Sequence, residues 1–436
     1  MTDTSPVFVR TEILPQQEPP LAEKGAVKWL RENLFSGWIN TALTLAGIWL
    51  VYVLLVASLP WWLNSVWDVN SLGECRAEVA VKAGPEATGA CWAMVRVWWH
   101  LFVFGFYPRS EYWRPVLAFA LLFVAIAPVL FQALPRRMMW LSVIYPAVAF
   151  YLLWGGSVWT PVVAMLGFVV LLVAYRLLVA QLGVVLAASI GVVLAILWWM
   201  FLDARVVEGL TALAPIGLEP VASDRFGGFL LALTIGVTAI SFSLPMGILL
   251  ALGRQSDMFL IRTLSVGFIE FIRGVPLITL LFTASLLLQY FLPPNTNFDL
   301  ILRVIILVTF FAAAYIAEVI RGGLAALPRG QYEAADALGL DYWRAQRLII
   351  MPQALKIAIP GIVSTFIGLF KDTTLVTFVG LMDPLKGITQ VVRADIAWKG
   401  IYWEPYIFVG AIFFVICFGM SRYSMYLEQK LKRDHR

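Results

Sequence analysis

Few side chains in this 436-residue chain are of types that do covalent or metal chemistry. Only two histidines occur, His100 and His435, far apart and beside different apolar segments, so a histidine-based metal or acid–base site is not expected. Nothing matches G-x-x-x-x-G-K-[ST], so if ATP powers the protein another subunit must bind it. What remains are ionisable and hydroxyl groups at the edges of apolar runs, where charge is costly unless paired or facing water. Glu270 and Arg273 stand three apart on one helical face, before a Gly274/Pro276 break. Glu318 and Arg321 repeat that spacing before Gly322-Gly323. Each of these two pairs reads as a structural ion pair closing on itself at the membrane edge, with a substrate role as the alternative. The third cluster, Lys371-Asp372-Thr373-Thr374, ends an apolar run that also carries Ser364, Thr365 and Gly368. That small, polar stripe suits a translocation path, and Ser364, Thr365, Lys371, Asp372, Thr373 and Thr374 are its candidates.

The elements that must position these groups are membrane spans. The chain is 61% hydrophobic and 14% charged, with a mean hydropathy of +0.84, which places it among polytopic membrane proteins. Its net charge of +5 is scattered at the ends of apolar runs instead of forming a nucleic-acid patch. Five runs near the ~20 residues needed to cross a bilayer fall at about Trp38–Leu59, Pro115–Leu134, Met138–Trp154, Val158–Val179 and Leu182–Leu202. Five more follow at about Gly228–Leu252, Pro276–Leu292, Ile301–Val319, Ile357–Thr377 and Tyr406–Tyr426. The expectation is an all-α polytopic protein of about ten transmembrane helices. The count is least secure between 138 and 204, where the last two runs of the first set make two spans or one span and a re-entrant piece.

Arg254, Arg262, Arg321, Arg329, Arg344 and Arg347 all fall on one side by parity, which places both termini in the cytoplasm. The expected organisation is a cytoplasmic tail over 1–36, a transmembrane extension over 37–225 with a periplasmic loop at 60–114, a permease-like unit over 226–429, and a short cytoplasmic tail over 430–436. In an oxidising periplasm Cys75 and Cys91 would favour a disulfide, two free thiols being the alternative. Cys417 reads as a packing residue. The segment Trp92–Phe106 reads as an interfacial helix on the outer face, with His100 structural.

Between two apolar runs lies a mixed-charge island, residues 313–356. Glu333-Ala334-Ala335 opens an Ala-rich run of helix formers, and Gly339 interrupts it at a point suited to positive φ. A second run is expected to close at Met351-Pro352, because proline disfavours helix in the residue before it. The reading is a helix–turn–helix outside the bilayer, against the plainer alternative of an ordinary amphipathic loop.

The spacing Glu333-Ala334-Ala335, Gly339, Ile349 and Pro352 resembles the EAA loop of ABC importer permeases, with Met351 where that family usually has Leu. FIEFIRGVPLITLLF, AYIAEVIRGG and GLFKDTTLV are similar to polar amino acid uptake permeases of that superfamily. The whole chain looks most like its glutamate/glutamine/aspartate/asparagine and general L-amino acid types. The extra hydrophobic material between Tyr145 and Ala204 leans toward the first type. The resemblance implies a five-helix type I permease core at the C-terminal end, with a coupling loop at 321–356 in which Glu333, Ala334, Ala335, Gly339, Ile349 and Pro352 dock on a cytoplasmic ATPase. It also implies a homologous Q-type permease partner, two ATPase copies, a periplasmic amino acid binding protein, ATP and Mg²⁺ used by the ATPase alone, and an inner-membrane location. No metal, catalytic group or cofactor is expected on this chain. A broad-specificity L-amino acid permease is the alternative; an ion-coupled secondary transporter would need mid-membrane carboxylates and inverted repeats that the sequence does not display.

Overall fold

A computed structural model describes residues 25–131, 133–291 and 299–433, and these are almost wholly helical. Residues 1–24 of the tail expected over 1–36, His435 and the Leu292 end of one expected span lie outside the described residues. The chain forms two compact units, Met1–Ala93 and Met94–Arg436.

The first unit holds α1 (Gly25–Asn33), α2 (Trp38–Leu63) and α3 (Leu72–Ala83). Helix α2 is apolar all round and buries none of its residues, as a helix surrounded by hydrocarbon can. The start of α3 is set locally: Ser71 Oγ accepts the Glu74 N–H at 3.2 Å, and the Glu74 carboxylate reaches back to the Asn70 N–H at 2.9 Å. A disulfide joins Cys75 to Cys91. Beside it Trp92 stacks on Trp67 with ring centroids 5.6 Å apart.

The second unit begins with α4 (Ala93–Phe104), α5 (Trp113–Leu130), α6 (Met139–Trp154), α7 (Trp159–Leu197) and α8 (Asp203–Leu213), with two-residue strands β1 (Gly156–Ser157) and β2 (Gly217–Leu218). It continues with α9 (Gly228–Arg254), α10 (Phe259–Gly274), α11 (Leu277–Phe291), α12 (Leu300–Ala325), α13 (Gly330–Ala337), α14 (Tyr342–Ala345), α15 (Met351–Asp372), α16 (Pro384–Ala394) and α17 (Trp403–Arg433).

Among the described residues eight helical stretches are long and apolar enough to cross a membrane. One of them, Trp159–Leu213, runs 55 residues and breaks at Gly183, where φ is 77° and ψ 172°. Its two arms fold against each other: Trp198 Nε1 donates to the Val163 carbonyl at 3.1 Å and Trp199 Nε1 to the Ala164 carbonyl at 2.9 Å. The antiparallel pairing of β1 with β2 closes the mouth of this hairpin. The stretch is therefore two crossings. Helices α10 and α11 meet at a 102° bend, as a broken span or a re-entrant loop does. With the Gly183 hairpin read as two, the described residues hold nine crossings, and a tenth where the bent pair crosses, against the about ten expected.

The boundary read at 225/226 is a change in motif content and not a break in packing. Phe104, Tyr107, Leu152 and Leu153 share one buried cluster with Phe226, Leu230, Val304 and Val376. Tyr107 donates its hydroxyl to the Leu153 carbonyl at 2.8 Å, Trp154 stacks on Phe226 at 4.6 Å, and Tyr423 donates to the Leu130 carbonyl at 2.6 Å. In the later half α9, α12 and α15 pack through small residues, which is how helices gain contact in a medium as apolar as themselves. A Cβ added to Gly323 would stand 2.5 Å from the Ala354 carbonyl oxygen.

Helix α4, read as interfacial, also packs into the bundle, with Met94 and Phe102 wholly buried and Trp99 exposed. Gly228 makes the docking possible: its φ is +59°, and a Cβ there would fall 2.2 Å from the Phe102 carbonyl oxygen. His100 is structural, as expected, with Nε2 taking a 2.7 Å hydrogen bond from Arg109. Burial and then the Arg109 charge hold its pKa below the ordinary value.

Candidate functional site

The island at 313–356 folds as a helix, a tight turn and a second helix. Helix α13 ends in a Schellman turn: the Leu340 N–H donates to the Ala335 carbonyl at 3.2 Å and the Gly339 N–H to the Asp336 carbonyl at 2.9 Å. Gly339 takes φ +68°, with nothing within 4 Å of a Cβ placed there. Glycine is needed for the backbone and not for space. Asp341 then caps α14, its Oδ1 accepting the Arg344 N–H at 2.9 Å.

Glu333 and Ala334 are exposed, whereas Ala335 is buried and faces its own protein. Ala335 therefore does not join a docking face. Leu338, Tyr342, Trp343 and Leu348 are large apolar side chains left exposed on this loop. Large exposed apolar side chains on a polar loop mark an interaction surface. Gln353 Nε2 donates to Gln331 Oε1 at 2.8 Å and ties α13 back to α15.

The expected break at Met351-Pro352 is absent. A five-residue π-helical turn, Gln346–Ile350, joins α14 to α15, with Ile349 half-buried and Pro352 exposed in the first turn of α15. A proline lacks the N–H and crowds the carbonyl four residues earlier; a widened turn accommodates both, so the helix continues. The loop is thereby joined to a spanning helix without a flexible link.

The two expected ion pairs rearrange into one cluster. Arg321 pairs with Glu318 at 2.9 Å as the spacing suggested. Glu270 pairs instead with Arg254, at 2.9 Å, and Arg273 with Glu318, at 3.7 Å. Arg254 also reaches Glu318 at 2.5 Å. Glu318, with its side chain 14% exposed, thus gathers arginines from the ends of α9, α10 and α12. Packing of α10 beside α12 brings Arg273 across to Glu318 instead of to Glu270 on its own helix. Arg254 escaped the sequence reading because an arginine ending an apolar run looks like a topology marker alone.

The polar stripe of α15 is mixed. Ser364 and Lys371 are exposed, Asp372 half-buried and Thr373 fully buried against the core. Thr365, Thr373 and Thr374 spend their hydroxyl donors on the carbonyls of Gly361, Phe370 and Lys371 in their own chain segment. Ser364, Gly368 and Lys371 follow one another at helical spacing down one side of α15. Among the described residues no group of His, Cys, Asp and Glu is placed to hold a metal ion.

A multi-pass helical bundle carrying a capped helix–turn–helix rigidly joined to a span is the architecture of a transporter membrane subunit. The chain belongs to the binding-protein-dependent transport permeases, the membrane subunits of ABC importers, whose family profile (the inner membrane component of binding-protein-dependent transport systems) matches residues 243–433. It is 67% identical, over the full length of both chains, to the glutamate/glutamine/aspartate/asparagine transport system permease protein BztC of Rhodobacter capsulatus. It is 39% identical to the inner membrane amino-acid ABC transporter permease protein YhdY of Escherichia coli K12, over 93% of each chain. A crystal structure of an amino acid ABC transporter with histidines is 29% identical, covering 46% of this chain and 91% of that one, with a TM-score of 0.41.

Proposed function

We propose that this chain is the permease subunit through which glutamate, glutamine, aspartate and asparagine enter across the inner membrane, both termini being cytoplasmic. The observation that carries this reading is the 67% identity, over the aligned length of both chains, to a permease named for those four amino acids. Transport is driven by ATP and Mg²⁺ bound to a separate ATPase, two copies of which serve this chain and a homologous permease partner. A periplasmic binding protein delivers the amino acid.

The coupling residues are Glu333, Ala334 and Gly339, with the exposed Leu338, Trp343 and Leu348 beside them. When the ATPase closes, it displaces this loop as a unit, because Gly339 and Asp341 fix its turn and Gln353 ties it to α15. The π-helical turn passes the displacement into α15, and so to the side carrying Ser364 and Lys371, which face the path.

The test is uptake of labelled glutamate by the reconstituted complex, with unlabelled competitors. Glutamine, aspartate and asparagine should compete, while arginine and leucine should not. Equal competition by leucine and arginine would make this a broad-specificity permease. Uptake by this chain alone, without ATP or a co-purifying ATPase, would overturn the reading.

A further inference from the structure

Helix α1 buries none of its residues, yet its sequence is two-faced. Ala26, Trp29 and Leu30 recur at three- and four-residue spacing on one side, with Val27 beside them. Lys28, Arg31 and Glu32 recur at the same spacing on the other side. Val27, Trp29 and Leu30 are all exposed, and so is Phe35 just beyond the helix. Such a helix suits a boundary, with an apolar medium on one side and water on the other.

The join to α2 decides where α1 sits. Only Leu34, Phe35, Ser36 and Gly37 separate the two helices. The Leu34 and Phe35 N–H groups both donate to the Leu30 carbonyl, at 2.9 and 3.1 Å, which closes the turn. Asn33 Nδ2 donates to the Trp29 carbonyl at 2.9 Å, and Asn40 Nδ2 to Ser36 Oγ at 2.6 Å. Thr44 Oγ1 then donates to the Leu34 carbonyl at 2.7 Å. Counted from Trp38, Thr44 stands in the second turn of α2. The C-terminal end of α1 is therefore level with a point about 9 Å along the span.

With 26 residues, α2 is about 39 Å long, against a hydrocarbon core of about 30 Å. The surplus leaves end turns of α2 in the headgroup layers, and the Thr44 bond holds the end of α1 at that depth. Lying along the layer covers Val27, Trp29 and Leu30 while it keeps Lys28 and Arg31 wet. The charges agree with this depth. Lys28 and Arg31 outnumber Glu32, and Lys28 Nζ lies 3.8 Å from the Glu32 carboxylate with both side chains at least half exposed. An excess of cations suits the phosphates of anionic lipid, and a tryptophan among the apolar side chains suits the acyl boundary.

We propose that α1 is an anchor lying along the bilayer surface, with Ala26, Trp29 and Leu30 at the acyl boundary and Lys28 and Arg31 on the phosphates of anionic phospholipid. The anchor goes beyond the transport reading and does not depend on which solute is carried.

The test uses the complete complex in nanodiscs of about three parts POPC to one of POPG, an anionic lipid. In a Cys417→Ser background, which keeps the Cys75–Cys91 disulfide, a nitroxide is attached through Ala26→Cys, Leu30→Cys or Glu32→Cys. Power-saturation EPR compares collisions with oxygen, which enters lipid, and with a nickel chelate, which stays in water. Oxygen should dominate at Ala26 and Leu30, and the chelate at Glu32. In POPC alone, or with Lys28→Gln and Arg31→Gln combined, the oxygen-to-chelate ratio at Leu30 should fall, since each cation contributes about fivefold to affinity for an anionic surface. Chelate dominance at all three positions puts α1 in water and overturns the anchor. Weak collisions with both reagents at Ala26 and Leu30 mean a protein cover, from a second copy or a partner subunit, and overturn it as well. A ratio that ignores both the lipid change and the double variant overturns the phosphate contact.

Discussion

The two ends of α12 hold charge in opposite ways. At the Glu318 end three arginines from three helices converge on one carboxylate, and the groups answer one another across 2.5–3.7 Å. At the Asp299 end, beside an open cavity of about 550 Å³, charges meet backbone groups: Asp299 accepts the Leu302 N–H, Arg303 donates to the Ser285 carbonyl and Lys386 to the Gly380 carbonyl. The difference teaches how to read ionisable groups in a membrane protein. Charge folded onto charge is a fastener between helices, while charge folded onto backbone groups pins its own segment in place.

The largest expected effect tests the backbone frame of the cavity end. Gly228→Ala sets a Cβ 2.2 Å from the Phe102 carbonyl oxygen at positive φ. Overpacking and backbone strain together should cost about 3 kcal/mol, read as a lower thermal unfolding midpoint in detergent. An unchanged midpoint would mean that α4 is not docked as described.

Glu318→Ala tests the fastener. It leaves Arg254, Arg273 and Arg321 facing one another without their shared counter-charge. A fully buried pair loses ~3–5 kcal/mol when broken; because these arginine side chains are partly exposed, the loss should be on the order of 2 kcal/mol. Glu318→Ala of native stability would reduce the cluster to a surface ornament and erase the contrast.

Gly339→Asp acts beyond the fastener, on the loop. The space around Gly339 is open, so the protein should reach the membrane in normal amount, with a backbone cost of about 1 kcal/mol. Transport should nonetheless fall, because the turn that orients Leu338 against Trp343 is altered. Immunoblotting beside uptake separates the two effects; full uptake would show that the loop geometry carries no force.

The smallest effect concerns pH near α4. His100 has a lowered pKa in the folded protein, so the unfolded chain binds a proton that the folded one refuses. Stability should be fully present above the ordinary histidine value and decline as pH falls through it, and His100→Gln should flatten that slope. A midpoint rising toward pH 5.5 would contradict the Arg109 contact.

Much of this was legible in the residues themselves. Long apolar runs must become helices in lipid, since every backbone polar group has to be satisfied within its own segment; that made the fold class legible from composition, while the crossings between 138 and 204 waited for the Gly183 break. The turn at Gly339 was equally local, because an Ala-rich run and a glycine needing positive φ lie within a few positions of each other; the Asp341 cap that completes it was not read from the sequence. What the tertiary structure decided was partnership. Glu270 pairs with Arg254 and Arg273 with Glu318 because α10 packs against α9 and α12, Ala335 turned inward, and the Pro352 break dissolved into a wider turn. Arg303, Lys386, Asp224 and Asp299 meet around one cavity although they are spread from 224 to 386 along the chain. Periodicity reports which face a residue occupies on its own helix; only packing brings distant faces together.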